Sequence, residues 1–217
     1  MKSHQKGFTL VEIAIVLVII GLLLGGVLKG QELINSAKVK NLANDFRSIS
    51  SFMYAYQDRF RALPGDDRAA VGHVNGTLAT TPAGQVGNAR ISGNWNSTTT
   101  TDETYLFWQH VRLAGLATGT PVINDAEYIP RNAEGGAIGI TGDPILTAPA
   151  TPWPANFYIC SAGIQGRFAR QLDTTLDDGN TATGTVRVIA NGATTQADAI
   201  ALTPANDAVQ YTVCSGF

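Results

Sequence analysis

Lys6-Gly7-Phe8-Thr9-Leu10-Val11-Glu12 joins a short basic segment, residues 1–7, to a run at 8–28 filled mostly by Ile, Val and Leu. As a helix rising about 1.5 Å per residue, that run spans roughly 30 Å, the hydrocarbon thickness of a bilayer. Lys2 and Lys6 precede it and few basic residues follow it, an asymmetry that favours a cytoplasmic N-terminus and an external C-terminal domain. A secretory signal would end in small residues of the Ala-x-Ala kind after the apolar stretch, and no such site stands around Gly25 and Gly26. Glu12 is the anomaly. An ionisable group five residues into the apolar run costs about 3 kcal/mol if it faces lipid unpaired. It needs a partner, unless it sits at the interface of a plain anchor.

The stretch from Lys6 to Glu12, with the aliphatic run behind it, resembles the type III signal of type IV prepilins and their secretion-system relatives. In that family a membrane-embedded aspartyl peptidase cuts after the glycine and methylates the new terminus. The resemblance therefore implies cleavage between Gly7 and Phe8, with Phe8 methylated. The family's glutamate at the fifth mature position falls on Glu12, implied to neutralise the terminal amine of Phe8 on a neighbouring subunit. Electrostatics agrees with such a role, because two opposite charges in an apolar filament core are each costly alone and tolerable as a pair. Lys29 stands where that family often has a kinking proline. Gly21, Gly25, Gly26 and Gly30 offer another way to soften the helix, at about 1 kcal/mol each relative to Ala, or a surface for close helix packing.

The rest of the chain has a different composition, rich in Gly, Thr, Ala and Asn. With 217 residues, 44% of them hydrophobic and 15% charged, the chain has material for one globular domain plus one long element. Its net charge of −2 becomes −4 if a leader carrying Lys2 and Lys6 is removed, and neither value suits a nucleic-acid binder. The division read from these patterns is a leader at 1–7, a membrane-spanning or filament-core half-helix at 8–30, an amphipathic half-helix at 31–63 and a globular headgroup at 64–217. Cys160 and Cys214 are the only cysteines, without neighbours at zinc-binding spacing. A disulfide closing about 55 residues would stabilise the fold by roughly 4 kcal/mol and requires an oxidising compartment, whereas the alternative is two unrelated buried thiols.

Leu42, Phe46, Ile49, Met53, Tyr56 and Phe60 recur at intervals of four and three, which marks one face of a helix packed on its own domain. Lys38, Lys40, Asp45, Arg47 and Asp58 lie on the other sides, and the helix is expected to stop near Ala62, terminated by Pro64 and Gly65. Residues 65–101 read as loops and short turns. Thr100 with Glu103 fits a capping box, so a second short helix is expected from Glu103 to about Leu116, ended by Gly115 or Gly119. Phe157–Cys160, Thr185–Ile189 and Val209–Val213 have strand-forming composition, which makes the expected fold α+β with an antiparallel sheet. Leu106-Phe107-Trp108 to Ala114-Gly115-Leu116, Leu63-Pro64-Gly65-Asp66 and Leu176-Asp177-Asp178-Gly179 also resemble patterns in larger bacterial pilin-like proteins. Cys160 and Cys214 resemble the pair that closes the C-terminal region of many type IV pilins and that secretion pseudopilins often lack.

Little in the chain suggests catalysis. His4, His73 and His110 are isolated, no nucleophile elbow or phosphate-binding glycine loop is present, and no carboxylate pair has a catalytic context. No cofactor or metal is assigned. Asp173, Asp177 and Asp178, with Gly179 and Asn180, are the calcium candidates, because they gather oxygen ligands and the resemblance implies calcium in some headgroups. Their spacing does not fit the EF-hand loop, and the same residues are ordinary turn chemistry. Asn96-Ser97-Thr98 and the threonines to Thr101 read as a glycan-accepting loop or a polar connector. Arg59, Arg61 and Arg68 form the one dense basic group and read as solvating the helix end.

The expected function is structural. The resemblance implies an inner-membrane precursor, N-terminus in the cytoplasm, that becomes a subunit of an extracellular pilus-like filament. Its implied partners are other copies, minor pilins, the prepilin peptidase, the inner-membrane assembly machinery and membrane lipid. Such filaments serve adhesion, twitching movement, DNA uptake or secretion. The alternatives are a pseudopilin of a type II secretion system and a membrane-anchored module that binds a ligand without polymerising.

Overall fold

The computed structural model describes Gly7 and residues 9–217. The chain divides into two compact units, Met1–Lys38 and Val39–Phe217. Helix α1 (Leu10–Phe60) passes through Gly21, Gly25, Gly26, Lys29 and Gly30 without a break. In the first unit its apolar side chains are exposed, Leu10 at 89% and Leu22 at 74%. In the second unit Val39, Leu42, Ala43, Phe46, Ile49, Met53 and Tyr56 form a buried stripe, as the spacing of four and three predicts.

The helix ends at Phe60, two residues earlier than expected. Arg61 takes a left-handed φ of 56°, and its N–H closes on the Gln57 carbonyl at 2.8 Å, so this residue stops the helix ahead of Pro64. Gly65 has φ +92°, and a Cβ there would lie 2.2 Å from the Glu103 carbonyl oxygen, so only glycine lets the chain pass so close to the next helices. The stretch expected to be loops and turns contains one short helix, α2 (Ala70–Val74).

Helix α3 (Glu103–Leu113) is buried along almost its whole length. The expected capping box is absent. Glu103 is the first residue of the helix and Asp102 the cap, so Thr100 and Glu103 are out of register for it. The Glu103 carboxylate turns inward and accepts the Ser92 N–H at 2.6 Å, while its other oxygen has no partner. Burial pushes its pKa up to about 7, with Asp66 and Asp143 adding repulsion. At the far end Leu116 donates back to the Val111 carbonyl at 2.9 Å, across Gly115.

Four antiparallel strands follow: β1 (Ile138–Thr141), β2 (Tyr158–Gln165), β3 (Val186–Ala190) and β4 (Gln210–Gly216), in the order β1-β2-β4-β3. Helix α4 (Gly166–Leu176) leaves β2 directly. Neither β1 nor α4 is foreseen by the sequence reading. Alternation along the strands gives the sheet two buried faces. Ile159, Ile164, Val186, Val188 and Val213 join the main core with the α1 stripe, α3 and the Phe168, Ala169 and Leu172 side chains of α4. Tyr158, Cys160, Ile189 and Cys214 point into a smaller core closed by Trp95, Ile145, Leu146 and Trp153. The indole N–H groups of Trp95 and Trp153 donate to the carbonyls of Ala193 and Thr185, so loop backbone is tied down where the tryptophans bury.

Candidate functional site

Thr9 and Glu12 build the start of α1. The Thr9 N–H and hydroxyl both donate to Oε2 of Glu12 at 2.8 Å, and the Glu12 N–H donates to Oγ1 of Thr9 at 3.3 Å. This is a capping box with Thr9 as the cap and Glu12 at the third helical position. The Thr9-x-x-Glu12 spacing carried that signal, although the sequence reading passed over it. The box addresses the cost of a carboxylate at the head of an apolar run, because helix-end donors that would otherwise lack partners are turned onto it. Both bonds from Thr9 go to Oε2, which leaves Oε1 outside the cap. Gly7 is exposed. Phe8, the other half of the expected processing site, lies outside the described residues, as does the leader at 1–6.

Downstream, one stretch of α1 is long and apolar enough to cross a membrane, and none of its residues is buried by the rest of the chain. Lys29 and Glu32 pair on its surface at 2.7 Å, an exposed contact of small energetic weight.

Cys160 and Cys214 are direct partners in the β2–β4 register and form a disulfide. Both are fully buried, with Cα atoms 4.1 Å apart. The bond ties the last strand of the chain to the strand that launches α4.

Asp173, Asp177 and Asp178 are brought together, one carboxylate oxygen of each within 4.8 Å of the others. Asp177 receives the Thr185 N–H and the Val186 N–H, and Asp178 receives the Asn180 N–H at 2.8 Å and the Thr183 hydroxyl at 2.8 Å. Asp173 is fully buried, and neither of its oxygens has a hydrogen-bond partner.

The two histidines of the headgroup are not isolated. His73 Nδ1 lies 2.6 Å from Oδ2 of Asp67, the oxygen that also accepts the Tyr56 hydroxyl at 2.7 Å. Burial opposes ionisation of Asp67, yet the bonds from His73 and Tyr56 hold its pKa below the usual range. His110 Nδ1 accepts the Gly65 N–H at 2.9 Å, so its proton is on Nε2, which donates to the Thr77 carbonyl at 2.8 Å. Burial lowers the pKa of His110 and keeps it neutral in this role. The cluster fastens the end of α1 to α2 and α3, with Tyr56 tilted against Phe60 and stacked with His110. Tertiary packing assembles it from residues 56, 67, 73 and 110, so no local motif announces it.

The basic group is also corrected. Arg59 donates to the Ala114 carbonyl at 3.1 Å and Arg68 to the Val86 carbonyl at 2.8 Å, so both fasten loops, while Arg61 only approaches Asp58 at 3.8 Å. A cleft of about 500 Å³ beside Met53, Tyr54 and Phe157 has, among the described residues, Arg90 as its one charged lining residue, and Arg90 is engaged by Gly142 and Asp143.

Residues 2–28 match the family described as the prokaryotic N-terminal methylation motif. No curated protein matches the chain.

Proposed function

Starting from a chain whose residues 2–28 carry a type IV prepilin-like signal, we propose that it is a structural subunit of a type IV pilus-like filament. Prepilin peptidase cuts between Gly7 and Phe8 and methylates the Phe8 amine. The mature subunit waits in the inner membrane, N-terminus on the cytoplasmic side, until the assembly machinery adds it to a filament of like subunits and minor pilins outside the cell.

The observation that carries this reading is Glu12, a carboxylate at the head of an uninterrupted helix with exposed apolar flanks. A plain membrane anchor has no need of it. In a filament, Oε1, which Thr9 leaves outside the cap, accepts the Phe8 amine of the neighbouring subunit, and the pairing sets the axial register. Leu10, Leu22 and their neighbours then exchange lipid for the helices of other copies. The Cys160–Cys214 bridge favours a pilus subunit over a secretion pseudopilin. In neither case does the headgroup need a catalytic site.

Glu12→Ala tests the reading. The variant should be made, anchored and folded as the parent is, while sheared filaments fall at least tenfold. Filaments at parental yield would contradict the pairing, whereas a parent that yields no filaments at all would leave a non-polymerising binding module as the better account.

A further inference from the structure

We propose that Asp173, Asp177 and Asp178 form a calcium site that joins the C-terminal end of α4 to the start of β3. The inference does not rest on filament assembly. Three oxygens within 4.8 Å of one another fit the shell of a cation bound at roughly 2.3–2.6 Å, whose opposite ligands lie about 5 Å apart.

The second observation is Asp173 itself. Its side chain is fully buried, its two oxygens have no hydrogen-bond partner, and it faces two further carboxylates. An ionised carboxylate in that position is strongly unfavourable unless a positive charge meets it. Beyond the Gly179 N–H, which favours the ionised form, the protein offers little. The last turn of α4 has no basic residue, and the cluster sits at the negative end of the helix. Arg187, whose charge is felt by Asp178, spends its guanidinium on the carbonyls of Gly184, Thr151 and Pro152. Arg170 is paired with Asp207.

The loop is also shaped for the purpose. A Cβ at Gly184 would lie 1.9 Å from Oδ2 of Asp177, so glycine is what allows the β3 strand to approach and its N–H groups to hold that carboxylate. Asp177 is thereby fixed through one oxygen, and no donor claims the other among the described residues. Oxygen-only ligands of this charge, one of them exposed, select a hard cation of calcium size.

The test is thermal unfolding and calorimetric titration of the full chain in detergent, stripped with EGTA, for the parent, Asp178→Asn and Asp173→Asn. About 10 mM CaCl2 is expected to raise the parent's Tm by roughly 3–10 °C, the shift of an extracellular-grade site. Asp178 is exposed, so Asp178→Asn should melt within a few degrees of the parent in EGTA and bind calcium at least tenfold more weakly. Asp173→Asn should melt no lower than the parent in EGTA and lose the calcium response. No calcium-dependent shift in the parent, an undiminished shift in Asp178→Asn, or an equal shift with MgCl2 would overturn the proposal.

Discussion

Residues 10–34 and residues 39–60 belong to one helix, yet they meet their surroundings in opposite ways. In the first stretch the Leu, Ile and Val side chains are exposed all round, with Leu33 still at 62%. In the second a single stripe of seven residues is buried and the remaining positions are polar or half-exposed. Backbone hydrogen bonding is the same in both. The difference lies in the source of burial, which the headgroup supplies for the second stretch and nothing among the described residues supplies for the apolar window of the first. Hydrophobicity all round is the mark of an unfinished environment, and a stripe is the mark of a finished one.

Paired truncations sharpen the contrast most. Phe46→Ala removes a side chain 1% exposed in the core and should cost the headgroup about 3–5 kcal/mol in denaturant unfolding. Leu22→Ala should leave that transition within about 0.5 kcal/mol and show its effect only in membrane partition or assembly. Equal losses would mean that residues 10–34 already have a partner within the chain. Reduction of Cys160–Cys214, or replacement of both by Ser, should lower headgroup stability by up to about 4 kcal/mol and leave membrane association unchanged.

A smaller effect comes from Glu103. Its folded-state pKa is raised to about 7 against an ordinary value of 4.5, so the folded state binds its proton more tightly than the unfolded one. The stabilisation this gives is complete below the unfolded value and is lost as pH rises through about 7. The headgroup should therefore melt lower at pH 8 than at pH 5.5, and Glu103→Gln should remove about 2–3 kcal/mol of that slope. A slope unchanged in Glu103→Gln would mean that other buried acids, such as Asp173, carry it. The least effect is at Thr9, where Thr9→Ala should cost about 1 kcal/mol of local helix stability, read as faster amide exchange in the first turn alone.

The part of this contrast that is periodic was legible in the sequence. The apolar run, the stripe from Leu42 to Phe60, the α+β class and the Cys pair all follow from spacing and composition, because each is set by local order or by a unique pairing. Helix α4 was missed although Phe168, Ala169, Leu172 and Leu176 keep helical spacing, since the Asp-Asp-Gly-Asn turn that follows dominated the reading of that region. Strand β1 is four residues long and has glycine at 139, which leaves little alternation to detect. Glu103 fitted a local capping rule, and tertiary packing against Ser92 overrode it. Of the candidate sites, the three aspartates were visible as a turn. That one of them is buried without a partner depends on the fold and could not be read from their order.

Processing at Phe8 decides whether the chain is a filament subunit, and intact mass with N-terminal sequencing of protein from a sheared surface fraction measures it directly. Filaments whose subunits begin with a methylated Phe8 are the predicted result. Subunits beginning at Met1, or cut after the apolar run, would contradict it.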